Sequence, residues 1–167
     1  MVKIYMIAAV CNNMGIGKDG KMPWYIPEDL KYFQNVTDNS VIVMGHNTWL
    51  SIPPNKRPLK NRFNVVVCSK KDMYVPTDNA VFVNIDELDT LLKRYDKAYI
   101  IGGSRLYERF MVRSDMLYLT RIDKDYECDV FFPPINHLYQ LESVSEQYYS
   151  KDGIPYRFEV YKNTLQN

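Results

Sequence analysis

The sequence predicts a single-domain α/β protein: a mostly parallel central β-sheet flanked by about four helices, with a C-terminal antiparallel hairpin. Three observations predict it. Nearly all-apolar runs of strand length recur along the chain, as strands covered on both faces require. Segments with helical period separate them, so the strands can run parallel. The last third switches to alternation around a Gly-containing turn, which is how a hairpin reads. A chain of 167 residues is the size of one domain, residues 1–167.

The elements follow in order. Val2 to Val10 is the first apolar run, and Met14 to Trp24 after it is rich in glycine. Pro27 to Thr37 predicts a helix, with proline where a first-turn residue belongs and Glu28 and Asp29 at the positive end of its dipole. Val41 to Met44 is a strand, and a helix starts at His46-Asn47-Thr48-Trp49. Pro53 to Asn64 is a loop inside the domain. Phe63 to Cys68 and Ala80 to Val83 are strands, and Ile85 to Tyr95 repeats Leu88, Leu91 and Leu92 at helical spacing. Lys97 to Ile101 is a strand, Ser104 to Val112 a helix and Met116 to Thr120 a strand. Gln140 to Tyr149 and Tyr156 to Lys162 alternate about Lys151-Asp152-Gly153, which makes the antiparallel hairpin. In sheets of this class the ligand cleft lies beyond the carboxyl ends of the strands. The residues that follow the apolar runs are therefore the informative ones.

Composition narrows the function. Lys and Arg number 21 against 20 for Asp and Glu, a formal net charge of +1, so bulk charge draws the chain to neither nucleic acid nor anionic lipid. Cys11, Cys68 and Cys128 are too few and too scattered for a disulfide framework, and no zinc-ligand spacing occurs. An odd thiol count without a signal peptide suits a reducing compartment, so a cytoplasmic protein is expected. The run from Ile4 to Cys11 is too short to span a bilayer.

Asp29 is the first residue with chemical promise. Ile26, Asp29, Leu30 and Phe33 fall at i, i+3, i+4 and i+7, an apolar stripe that contains one carboxylate. Such an acid either serves the helix dipole beside Glu28 or works in a cleft with a raised pKa. Met14-Gly15-Ile16-Gly17 through Met22-Pro23-Trp24 reads as a lid-like loop or as an ordinary long turn. Gly102-Gly103 opens a helix after a strand, which suits either a phosphate on backbone amides or tight helix–strand packing. The chain lacks GxGxxG after its first strand. His46-Asn47-Thr48 offers amides and a hydroxyl to an anion, and Cys68-Ser69-Lys70-Lys71 brings a hydroxyl and two charges that favour a 2′-phosphate or simply face solvent. Arg57 and Arg62 flank Pro58-Leu59 and could fork around a carboxylate. Asp123, Asp125, Glu127 and Asp129 lack the spacing of a calcium loop and read as a solvated loop, as does the surroundings of His137. No nucleophilic triad or dyad has supporting context, and no metal site is expected.

Taken together, these segments resemble the dihydrofolate reductase family. The matching blocks are Ile7-Ala8-Ala9-Val10, Gly15-Ile16-Gly17, Met22-Pro23-Trp24 and Pro27-Glu28-Asp29-Leu30-Lys31-Tyr32-Phe33. Val43-Met44-Gly45, Thr48-Trp49, Ser51-Ile52-Pro53, Arg57-Pro58-Leu59 with Arg62, and Ile101-Gly102-Gly103 follow. Leu117-Tyr118-Leu119-Thr120 and Asp129 before Phe131-Phe132-Pro133 complete a series in family order over nearly the whole chain. The insert from Pro53 to Arg62 resembles the longer, eukaryotic form.

The resemblance implies reduction of 7,8-dihydrofolate to tetrahydrofolate with NADPH, in support of thymidylate and one-carbon metabolism. Hydride goes to C6 and a proton to N5. It implies a cytoplasmic monomer, inhibited by antifolates, with no nucleic-acid or membrane partner. Two other readings share parts of the pattern: a pyrimidinone reductase of riboflavin synthesis, and an inactive folate- or RNA-binding regulator. Asp29 and Arg62 count against the first; Asp29, Trp24, Thr120 and the near-neutral charge count against the second.

By residue, the resemblance makes Asp29, Thr120 and Trp24 the catalytic group. Asp29 binds the pterin and promotes protonation, Thr120 holds Asp29, and Trp24 supports the lid and orders a water. Substrate would contact Ile7, Asp29, Leu30, Phe33, Gln34, Ile52, Leu59, Ile101 and Thr120, with Arg62 on the α-carboxylate of the glutamate tail. Cofactor would lie along Ala9, Ile16, Gly17 and Gly20. Its phosphates would meet His46, Asn47, Thr48, Cys68, Ser69, Lys70, Gly102, Gly103, Ser104, Arg105, Leu106 and Tyr107. A cis Gly102–Gly103 peptide is also implied. One departure has a consequence: the family usually carries Arg or Lys where this chain has His46. Histidine loses its charge near neutral pH, so NADPH affinity is expected to fall between about pH 6 and 8 more steeply than in His46→Arg. Dissociation constants measured against pH check this; identical slopes would reject it.

Overall fold

The computed structural model of this chain describes residues 1–135 and 137–165; Asn136, Gln166 and Asn167, inside the expected domain bounds, lie outside the described residues. Strand β1 (Lys3–Val10) leads to the short β2 (Gly15–Gly17), then helix α1 (Pro27–Thr37), β3 (Val41–Gly45) and α2 (His46–Ser51). Next come β4 (Phe63–Val67), β5 (Ala80–Val83), α3 (Ile85–Leu92), β6 (Lys97–Gly102), α4 (Ser104–Phe110) and β7 (Met116–Ile122). The chain closes with β8 (Val130–Phe131), β9 (Tyr139–Val144), β10 (Tyr148–Tyr149) and β11 (Pro155–Asn163).

The main sheet has the order β10-β11-β7-β1-β6-β3-β4-β5, with β9 also paired to β11. From β7 to β5 every neighbouring pair is parallel, and β11 joins β7 antiparallel. The expected fold class is therefore present. Two details differ. The alternating segment from Gln140 to Tyr149 is not one strand, since β9 and β10 pair separately with β11 on either side of residues 145–147, and the β9–β11 pairing itself shifts register at Val160/Tyr161. Helices α3 and α4 end at Leu92 and Phe110, short of the expected Tyr95 and Val112, because both chains turn back towards the next strand there.

Alternation along β1 explains its unbroken apolarity. Ile4, Met6 and Val10 pack with Leu88 and Leu92 of α3 and Leu106 and Phe110 of α4, whereas Tyr5 and Ile7 pack with α1 and α2 through Phe33, Val36 and Trp49. Both faces are covered, as a parallel sheet requires. All the parallel strands point the same way, so one edge of the sheet collects the segments after Val10, Gly45, Val67 and Gly102. Register sharpens this: Gly45 lies beside Val67, Met44 beside Gly102, and Ala9 beside Thr120.

Candidate active site

Asp29 projects from the first turn of α1 and accepts a hydrogen bond from Thr120 Oγ1 at 2.7 Å. Thr120 is buried on β7 between Ala9 and Phe158 in register. Ninety-one positions separate the two residues, and the sheet brings them together. Burial raises the Asp29 carboxyl from 3.8 to about 6, against a smaller lowering effect from the Thr120 hydroxyl. Burial and a raised pKa are what the cleft reading of this acid expects. The stripe that holds it is not packed as the spacing suggested. Ile26 is buried, but Leu30 is 43% exposed, so this face of α1 is only partly covered.

Ile7, Phe33, Ile52, Leu59 and Ile101 converge in one apolar cluster with Trp49 and Tyr99. Leu30 and Gln34 stand exposed at its edge. Arg62 is buried; its Nε donates to the Lys60 carbonyl at 2.8 Å and its NH1 to Thr37 Oγ1 at 3.3 Å. Its guanidinium lies 5.7 Å from the Phe33 ring centroid, and its NH2 has no protein partner among the described residues. Arg57 differs. Its NH1 donates to the Trp49 and Ile52 carbonyls at 3.1 and 3.3 Å, so it clips the loop to α2. Asn64, an amide inside an otherwise apolar strand, escaped the sequence reading. It exchanges bonds with the Leu59 amide and carbonyl and donates to Arg62 and Asn79 carbonyls, which fixes the loop that carries Leu59 and Arg62.

Beyond the carboxyl ends of β3, β4 and β6, the remaining residues gather in the expected neighbourhood. The peptide between Gly102 and Gly103 is cis, as is Arg57–Pro58. Gly102 has φ +126°, where a side chain is strained, and a Cβ there would meet Tyr107 Oη and Thr48 Oγ1 at 3.4 and 3.5 Å. A Cβ on Gly103 would meet only Thr48 Oγ1, at 3.8 Å, so glycine keeps the backbone open in front of α4. No side chain caps α2 or α4, and their first amides stay available. Thr48 Oγ1 makes no hydrogen bond among the described residues, and Ser69, Lys70, Asn47 and Arg105 are exposed. These groups suit a phosphorylated dinucleotide: the Thr48 hydroxyl lies against Gly102 and Gly103, the first amides of α2 and α4 are uncapped, and Ser69 and Lys70 follow β4, the neighbour of β3. Three residues placed here by sequence work from behind. Leu106 is buried in the core, Tyr107 donates to the Ile7 carbonyl at 2.7 Å, and Cys68 is buried with its sulfur accepting from the Lys70 amide at 3.3 Å. Ser104 is half-buried at the first position of α4.

The Gly-rich segment is a structured turn, not a slack one. Lys18 and Lys21 bond each other across Asp19 and Gly20, both at positive φ, the two-residue turn that glycine suits. Gly20 is exposed at its tip, while Ile16 and Gly17 lie nearer the sheet in β2. β2 pairs with β8, a small second sheet that the sequence did not reveal. The acidic run is a solvated loop, as expected, with Asp123, Asp125, Glu127 and Asp129 all exposed, and three of them tether it. Asp129 Oδ2 accepts from the Asp19 amide at 3.1 Å, Glu127 pairs with Lys18, and Asp125 accepts from Asn12. No group of residues suited to a metal ion occurs among the described residues. Cys11 and Cys128 meet at this seam with sulfurs 3.8 Å apart, and a Cβ on Gly15 would overlap Cys128. Trp24 is buried beside Cys11 and Ile26, and its indole N–H has no acceptor among the described residues. Ala9 packs against the same cluster.

A parallel sheet that gathers uncapped helix amides, a glycine pair and a buried-side acid at its carboxyl edge is an α/β arrangement suited to an NADPH-dependent oxidoreductase. The sequence matches the family described as dihydrofolate reductase over residues 3–163. Similar proteins include the dihydrofolate reductase of Heliothis virescens (34% identity, 96% of this chain and 97% of that protein) and that of Gallus gallus (35%, 95% of both). The viral dihydrofolate reductase of Saimiriine herpesvirus 2 is 40% identical over 95% of this chain and 84% of its own length. The chain belongs to the dihydrofolate reductase family.

Proposed function

We propose that this chain reduces 7,8-dihydrofolate to 5,6,7,8-tetrahydrofolate with NADPH, and that Asp29 is its acid–base residue. The observation that carries the reading is the half-buried Asp29 carboxylate held by Thr120 at 2.7 Å, at the mouth of an apolar cleft. NADPH supplies the hydride when bound. Asp29 accepts hydrogen bonds from the 2-amino and N3 groups of the pterin and promotes proton delivery to N5. Thr120 fixes the carboxylate oxygen that faces it. Trp24, with a buried N–H that needs an acceptor, holds a water near the reacting ring. Ile7, Leu30, Phe33, Ile52, Leu59 and Ile101 grip the ring system and exclude water, Gln34 lies along the same wall, and Arg62 takes the α-carboxylate.

On the other side of the cleft, Gly102, Gly103, Ser104, Arg105 and Thr48 would hold the pyrophosphate. His46, Asn47, Ser69 and Lys70 would surround the 2′-phosphate, and Ala9, Ile16 and Gly17 the nicotinamide. Leu106, Tyr107 and Cys68 support these segments from the core. No helix among the described residues is long and apolar enough to cross a membrane. The same reading makes the protein a cytoplasmic monomer that antifolates inhibit through Asp29. The test is NADPH consumption on addition of dihydrofolate to the purified chain. Turnover with tetrahydrofolate as product is expected; NADPH binding without turnover would overturn the assignment.

A further inference from the structure

We propose that Tyr74 is a positioning residue that holds His46 as an Nδ1–H donor towards the 2′-phosphate of NADPH. The inference rests on the reading of His46 as a phosphate neighbour and adds how this chain makes a histidine serve there. His46 Nε2 and Tyr74 Oη are 2.6 Å apart, with the rings edge to face at 5.5 Å and 77°. Tyr74 is itself clamped: its ring stacks on Phe82 at 4.4 Å and 9°, and Phe82 meets Trp49 of α2 edge-on at 5.3 Å. The segment after β4 thus supplies Ser69 and Lys70 to the cradle and, a short helical turn later, the phenol that reaches back to His46.

The chemistry follows from the two ring nitrogens. A neutral imidazole has one donor and one acceptor, whereas a phosphate only accepts, so a ring that shows the anion a lone pair repels it. Tyr74 Oη has no other partner among the described residues, so Nε2 is the acceptor the protein offers its proton. That bond selects the tautomer with hydrogen on Nδ1, which has no protein partner among the described residues. When the ring gains a proton, Nε2–H donates to Oη instead and Nδ1–H is retained. His46 therefore donates from Nδ1 in both states, and loss of its charge leaves a hydrogen bond behind. The surrounding charges do not compete. Lys70 is exposed, Lys71 is committed to Glu87, and His46 takes part in no ion pair among the described residues.

The chain has two histidines, His46 and His137, so nitrogen NMR of the ¹⁵N-histidine-labelled protein without ligand reads the tautomer directly. At pH 8 the His46 ring is expected to carry its proton on Nδ1, and in Tyr74→Phe, which keeps the stack on Phe82, to revert to Nε2–H. By fluorescence titration at the same pH, Tyr74→Phe should raise the NADPH dissociation constant about three- to tenfold and leave that of NADH unchanged. An Nε2–H ring in the unmodified protein, or equal weakening of NADPH and NADH in the variant, would overturn the role given to Tyr74. His46→Ala separates the two levels: if it leaves the preference for NADPH over NADH intact, the phosphate site itself is misassigned.

Discussion

Asp29→Asn is expected to lower kcat with dihydrofolate at pH 7 by about two to four orders of magnitude, the range that a positioned acid–base group supplies. The amide keeps the size of the carboxyl and can still accept from Thr120, but its NH2 then faces the pterin donors, so KM for dihydrofolate should rise alongside the fall in kcat. Substrate that is already protonated at low pH should recover part of the rate, and the wild-type advantage should shrink as pH falls. Steady-state rates of both proteins from pH 5 to 8 check this. A variant that retained wild-type kcat at pH 7 would remove Asp29 from the mechanism.

The same substitution should stabilise the fold. In the folded chain the Asp29 carboxyl keeps its proton up to about pH 6, whereas the unfolded chain releases it near 3.8. Between these values the folded state binds more protons, so the contribution of the protonated Asp29 is full below about pH 4 and is lost as pH rises through 6. Asn has no charge to desolvate. Asp29→Asn is therefore expected to raise Tm relative to wild type at pH 7.5, with the difference fading at pH 4. Opposite effects on activity and stability mark a residue retained for chemistry at a cost to the fold.

How much of this was legible depends on whether a residue acts through its own stretch or through a distant one. The parallel strands announced themselves because β1, β3, β4 and β6 are covered on both faces, and α1 kept its expected bounds because proline opens it and its spacing is regular. β2 and β8 did not, because three and two residues are too short to show alternation. The carboxyl-edge rule led to the loops that carry the cradle, but the partners that tune them lie elsewhere in sequence. Thr120 on Asp29 was available only through the family resemblance. Tyr74 on His46, Asn64 behind Leu59 and Arg62, and Cys11 beside Cys128 were not available at all. Asn64 left one signal, a polar amide within Phe63–Val67 that a buried strand must satisfy.

Arg62→Leu is expected to raise the KM for dihydrofolate about 30- to 300-fold while kcat changes little, because charge-assisted hydrogen bonds to a carboxylate contribute roughly 1.5–3 kcal/mol each. Two protein acceptors already hold the guanidinium. Nε is spent on the Lys60 carbonyl and one NH1 hydrogen on Thr37, which leaves the NH2 side of a buried, rigid fork for the glutamate tail. Thr37 is buried and its hydroxyl also donates to the Phe33 carbonyl at 2.7 Å, so α1 sets the height of the fork above the cleft. Substrate chemistry separates this role from a structural one. A reduced-pterin substrate without the glutamate tail should show the same KM with wild type and Arg62→Leu, and NADPH affinity should be unmoved in both. Thr37→Val, which removes one tether and keeps the charge, should raise the KM for dihydrofolate by only a few-fold. Equal loss with the tail-less substrate would mean that Arg62 shapes the pocket and does not read the carboxylate.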